Sequence, residues 1–154
     1  MPAYDRGSER SGRHGFYLVA DQAITRLGQG DTRQLGWFGS LVTAPDDAVS
    51  PMPLFFITGL VANGPFAARP NDVLALGVAY GGYSSSLREQ QQAQARLDPA
   101  IRPQVSELTV EFSHILQVMP GLTVQPGVQL LLHPGGDPST PTAFAAGVNA
   151  VLSF

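Results

Sequence analysis

Two carboxylates, Glu107 and Glu111, stand four residues apart, and paired carboxylates are the equipment of glycoside hydrolysis. Along a strand that spacing is about 13 Å at ~3.3 Å per residue, whereas the acid and its partner in a glycosidase stand ~5–9.5 Å apart. The pair is too wide for hydrolysis. It suits a wetted wall instead, where the carboxylates hold water. The three histidines, His14, His114 and His133, are too scattered for a zinc site, which needs clustered ligands. His133 precedes Pro134 and is expected at a rim, while His114 fits either face of its strand. With no cysteine in the chain, disulfides, zinc ribbons and thiol catalysis are excluded. No G-x-S-x-G or P-loop pattern is present. The run RLGQGDTR (Arg26–Arg33) lacks the glycine spacing and the following helix of a dinucleotide site. No catalytic residue, metal or cofactor is expected.

The elements that hold these residues follow from composition and pattern. Only 14% of residues are charged, against roughly 25% in soluble domains. Seventeen glycines and thirteen prolines accompany 44% hydrophobic residues, which is too apolar for disorder and too punctuated for a helical bundle. The net charge of −3 comes without a basic cluster, which excludes a nucleic-acid footprint. No stretch approaches the ~18 apolar residues of a membrane helix. The most apolar run, Met52 to Ala62, is broken by Pro53, Thr58 and Gly59. A membrane role therefore requires a closed barrel, the other structure that satisfies its backbone in lipid. Residues Met1 to His14 are polar and basic, with no apolar core, so this segment is no signal peptide. It is expected to be a disordered or partial leader, and 15–154 to be barrel; either the export signal lies upstream of Met1 or the membrane reading is wrong.

Seven segments, 15–24, 35–44, 53–63, 72–83, 105–118, 121–133 and 143–154, read as strands bounded by turn residues. Most are longer than ordinary strands of ~5–6 residues and match tilted membrane strands of ~9–11. In the sixth, Leu122, Val124, Pro126, Val128, Leu130 and Leu132 share one parity, opposite Thr123, Gln125, Gly127, Gln129, Leu131 and His133. Successive residues point to opposite faces, so one face is apolar and the other largely polar. The fifth sets Leu108, Val110, Phe112 and Leu116 against Glu107, Thr109, Glu111 and Ser113. The fourth sets Leu74, Leu76, Val78 and Tyr80 against a nearly bare face. A half-buried soluble sheet gives the same alternation, so a soluble all-β small-ligand-binding barrel is the alternative. A small outer-membrane enzyme or adhesin is a third reading, for which no catalytic constellation is found. The recurrence of the pattern without an amphipathic helix to cover the apolar face favours the membrane.

The Pro120–Gly121 link is tight, and the 84–103 link is long and polar, as expected of the two rims of a bacterial barrel. Within it, Leu87 to Leu97 has some helical character, but its Gln-rich composition is read as a solvated loop. The aromatics Phe16, Tyr17, Trp37, Tyr80, Tyr83, Phe144 and Phe154 fall mostly near segment ends, as in interfacial girdles. The chain closes with Phe154 in parity with Leu152 and Val148. A terminal aromatic on an amphipathic last strand resembles the signal read by the barrel-assembly machinery.

Four stretches resemble the carbohydrate-selective porins: GFYLVADQ (Gly15–Gln22), WFGSLVTAP (Trp37–Pro45), NDVLALGVAY (Asn71–Tyr80), and SELTVEF with LTVQPGVQLLLHPGG (Ser106–Phe112, Leu122–Gly136). The resemblance covers nearly everything from Gly15 onward, as the C-terminal part of that family. It implies an outer-membrane barrel of about sixteen strands, around a water-filled channel, through which sugars diffuse without chemistry. Seven strands are then part of a larger barrel. It also places Phe154 at the periplasmic rim and the 84–103 loop outside. Ser40 stands where the family tends to carry Arg, and Thr43 where an aromatic is frequent, so the sugar preference does not carry over. The expected pore-lining residues are Asp21, Glu107, Glu111, Gln125, Gln129 and Asn149. The expected partners are sugars, outer-membrane lipid, the barrel-assembly machinery, and either the remaining strands of the same porin or further copies of the chain.

Overall fold

The computed structural model describes residues 14–28, 33–46 and 49–154. The segment 1–14, apart from His14, and parts of the RLGQGDTR and APDDAVSP links lie outside the described residues. Seven strands form: β1 Phe16–Arg26, β2 Gln34–Thr43, β3 Leu54–Asn63, β4 Val73–Gly82, β5 Ser106–Met119, β6 Leu122–Leu132 and β7 Ala143–Leu152. Each begins and ends within about two residues of the expected boundary. They lie in one sheet in chain order, every neighbouring pair antiparallel.

At 10–14 residues per strand and ~3.4 Å per residue, a tilted strand crosses the ~25 Å apolar band of an outer-membrane barrel. Alternation puts Trp37, Leu60, Leu76, Phe112 and Val128 in one row across five strands, on a single face. No apolar side chain among the described residues is buried. Leu76, Phe112, Val128 and Leu130 remain about two-fifths exposed even in the middle of the sheet. A soluble barrel would turn such a face inward onto a core. Among the described residues the sheet is a single layer, and none of them covers its apolar side.

Turns follow local chemistry. The Pro120–Gly121 link places Gly121 at φ 83, the conformation that a Pro-Gly type II turn requires at its second central residue. A bulge between Gln117 and Met119 takes up the extra residue on β5. The long link differs from expectation: Ser85–Ala95 is a helix, α1, where its composition favours a loop. Ser84 explains the helix, its hydroxyl accepting from the Leu87 backbone N–H at 3.0 Å as an N-cap. Gln91 then fixes the far side, accepting from the Gln104 backbone N–H at 2.8 Å. The base of the loop is tied to its neighbours by Ser84 N–H to Pro51 O at 2.9 Å and Val105 N–H to Gly136 O at 2.9 Å. Trp37 also departs from the girdle pattern. It is the fourth residue of β2, and its indole donates to the Thr58 hydroxyl at 2.8 Å on the apolar face.

Candidate functional site

The opposite face carries the polar groups. Residues directly opposite in an antiparallel ladder share a face, and one such row runs Asp21, Phe38, Gly59, Gly77, Glu111, Gln129, Ala145 across all seven strands. The order alternates function with clearance. Glu111 accepts a hydrogen bond from Gln129 Nε2 at 2.7 Å. Gly77 and Gly59 leave the wall bare beside them, and Phe38 leans into that space. A methyl group placed on Gly59 would stand 2.7 Å from the Phe38 ring, and one on Gly77 3.8 Å from its tip. The two glycines form the bed on which the ring rests. Asp21 lies four strand steps from Glu111, about 19 Å at ~4.8 Å per step.

Below this row, Gln125 opposes Asn149 and Ser113 opposes Gly127. With Glu111 and Gln129 they line a shallow concavity of about 400 Å³. Glu107 stands nearer the α1 rim and is engaged there. It accepts from the Gly135 backbone N–H, while Gln104 Nε2 donates to the Gly135 carbonyl at 2.6 Å. Burial and the neighbouring Glu107 together push the Tyr83 phenol up. All six expected polar residues therefore share one face. Glu111 and Gln129 are joined, Gln125 and Asn149 are paired, Asp21 is apart on β1, and Glu107 is a rim tie.

The charge on this face is one-sided. In the strands the acids are Asp21, Glu107 and Glu111, and the single arginine is Arg26, at the last position of β1, while His114 lies on the other face. The chain has no lysine. No group of three or more potential metal ligands occurs among the described residues. Of the three residues expected to form the assembly signal, Val148 and Leu152 oppose Pro126 and Leu122 on the apolar face. Phe154 lies beyond the end of β7 and is fully exposed. Ser153 N–H donates to the Gly121 carbonyl at 2.7 Å, which fixes the last turn of chain.

Two features are not evident in the sequence. Phe38 is one. The other lies at the Pro120–Gly121 rim, where Asp72 is 1% exposed inside a complete set of donors. Arg69 grips it through Nε and Nη2, the latter at 3.1 Å. The Gln117 backbone N–H donates to it at 3.1 Å, and His114 Nε2 is 3.2 Å away. The Arg69 hydrogen bond is the main cause that holds the Asp72 carboxyl below its usual range. Phe66 meets the His114 ring edge-on at 6.2 Å. The register puts His114 on the apolar face, opposite Leu74, so this cluster ties the β3–β4 link to β5 outside the polar wall.

Comparison with known proteins adds three likenesses. A family model described as carbohydrate-selective porin, OprB family, matches residues 2–154. Porin B of Pseudomonas aeruginosa strain PAO1 is 30% identical over 153 residues, a match that covers 94% of this chain and 34% of that protein. The high-pH structure of Pseudomonas putida OprB superposes with a TM-score of 0.86 at 27% identity, covering 92% of this chain and 36% of that one. The chain thus spans about a third of the length of the relatives it matches.

Proposed function

The chain belongs to the carbohydrate-selective porin family, OprB, and on that premise we propose that it forms part of the wall of a water-filled β-barrel through which sugars cross the bacterial outer membrane by passive diffusion. One observation carries this reading: a single-layer sheet with Asp21, Glu111, Gln125, Gln129 and Asn149 on one face and an uncovered apolar surface on the other. In this arrangement the polar face meets channel water and the apolar face meets lipid. Transport of this kind needs no bond to be made or broken. The wall supplies hydrogen-bond partners that replace part of a sugar's hydration, and the family supports a channel rather than an enzyme.

Closure of the wall follows from strand direction. β1 and β7 run the same way in a seven-stranded antiparallel meander. A second copy placed alongside in the same orientation would set its β1 parallel to β7. We therefore assign closure to an odd number of further strands, which brings the total to the even count of bacterial barrels. Phe154 then lies at the periplasmic rim, where Leu152 and Val148 present the apolar stripe to the assembly machinery, and α1 stands outside the cell. The test is sugar-driven swelling of liposomes that hold native protein extracted from outer membranes. Glucose and arabinose should enter far faster than into protein-free vesicles, and equal rates would overturn the proposal.

A further inference from the structure

The polar face of β2 to β5 contains a recess of about 240 Å³ whose lining includes Phe38, Ile57, Gly77, Thr109, Glu111 and Ser113. Its two ends differ chemically. At one end the Phe38 ring leans over Gly59 toward Gly77, so the neighbouring strands do not wall the ring in. At the other end Glu111 stands with one carboxylate oxygen held by Gln129, and the Thr109 hydroxyl lies beside it in the lining. No arginine lines the recess.

We propose that this recess is a pyranose subsite that takes an amino sugar in preference to a neutral sugar, and a neutral sugar in preference to a uronate. The inference rests on the pore reading above and names the ligand class of one place on that wall. A pyranose has an apolar face of C–H groups and a rim of polar groups, and the recess matches both. The C–H face lies against Phe38, and the rim hydroxyls reach Thr109 and Glu111. An ammonium substituent gains twice, from the Glu111 carboxylate and from the negative face of the aromatic ring. A uronate carboxylate meets Glu111 as a like charge with no arginine in the recess to offset it. The bed of glycines is the structural requirement, since any side chain at position 59 would push the ring off the wall.

The experiment measures entry of glucosamine, glucose and glucuronate into liposomes, and their block of ion current across planar bilayers, for the native protein, its Glu111→Gln variant and its Phe38→Leu variant. Leucine keeps an apolar side chain and removes the ring, which guards against a failure to fold, and ion conductance in the absence of sugar reports that each pore is open. The native protein should pass the three sugars in the order given. Partly exposed ion pairs contribute about 0.2–1 kcal/mol, so Glu111→Gln should shrink the glucosamine-to-glucuronate ratio by roughly 1.4- to fivefold. Phe38→Leu should weaken the block of ion current by all three sugars. An unchanged charge ratio in Glu111→Gln, or an unchanged sugar block in Phe38→Leu, overturns the subsite while leaving the pore standing. Failure of the native protein to pass glucose at all would overturn the pore reading and the subsite with it.

Discussion

Glu111 on β5 and Gln129 on β6 stand directly opposite each other, and the Gln129 amide donates to the Glu111 carboxylate at 2.7 Å. The neighbours of that pair in sequence, Phe112 and Val128, oppose each other on the other face. One step along either strand therefore exchanges a hydrogen-bonded polar pair for an apolar one. This change of face underlies the predictions that follow.

A charge placed on the apolar side should be costly. Val128→Arg puts a guanidinium near the middle of β6, where lipid exposure at mid-bilayer costs about 2–4 kcal/mol. Refolding into liposomes from urea should fall accordingly, while Gln129→Arg on the next residue should refold almost as the native protein does. Equal behaviour of the two variants would reverse or abolish the assignment of faces.

The turn at Gly121 should be intolerant of a side chain. Its φ of 83 is left-handed, and an added Cβ would lie 2.5 Å from the Ser153 carbonyl oxygen. Backbone strain alone costs about 1–2 kcal/mol for a residue with a Cβ. Gly121→Ala should lower the urea midpoint, and Gly135→Ala, left-handed but with nothing within 4 Å of an added Cβ, should lower it less. Matched midpoints would show that the contact with the chain end carries no weight.

Deletion of Phe154 separates assembly from stability. Its side chain is fully exposed, so removal should leave refolding in vitro unchanged. Incorporation into the outer membrane of living cells should nevertheless fall, measured by immunoblot of membrane fractions. Full incorporation would remove the terminal aromatic from the assembly signal.

Acid should loosen the β3–β4 link. Asp72 is held below its usual range chiefly by the Arg69 hydrogen bond, so its contribution is complete above the unfolded carboxyl value of ~3.9. It is lost as pH falls through the lower folded value. Hydrogen exchange at the Gly64 amide, which donates to the Asp72 carbonyl at 2.8 Å, should report an opening that begins below about pH 4. Asp72→Asn should show that opening already at neutral pH.

The sequence is legible where structure is local. Alternation and turn residues place all seven strands to within about two residues, and Pro120–Gly121 announces its turn. Helix α1 is harder to see because its residues are polar on every side. Its N-cap at Ser84 and the Gln91–Gln104 pairing carry it instead. Register is not local, since Asp21, Phe38 and Glu111 come to one level only after four successive ladders have been aligned. Phe38 is therefore hidden beside Trp37, and nothing in a single strand reveals that Gly59 and Gly77 lie next to it. Asp72 reads as an ordinary turn residue for the same reason, because its partners on β5 are more than forty positions away.

The most direct test of a sugar-conducting wall is thiol labelling at two adjacent positions, in a stretch of 154 residues that holds no cysteine of its own. Val128→Cys and Gln129→Cys variants in outer membranes would be treated with a membrane-impermeant maleimide, with and without saturating glucose. The pore reading predicts rapid labelling in the Gln129→Cys protein, slowed by glucose, and almost none in the Val128→Cys protein. Labelling of Val128→Cys in preference to Gln129→Cys would contradict it.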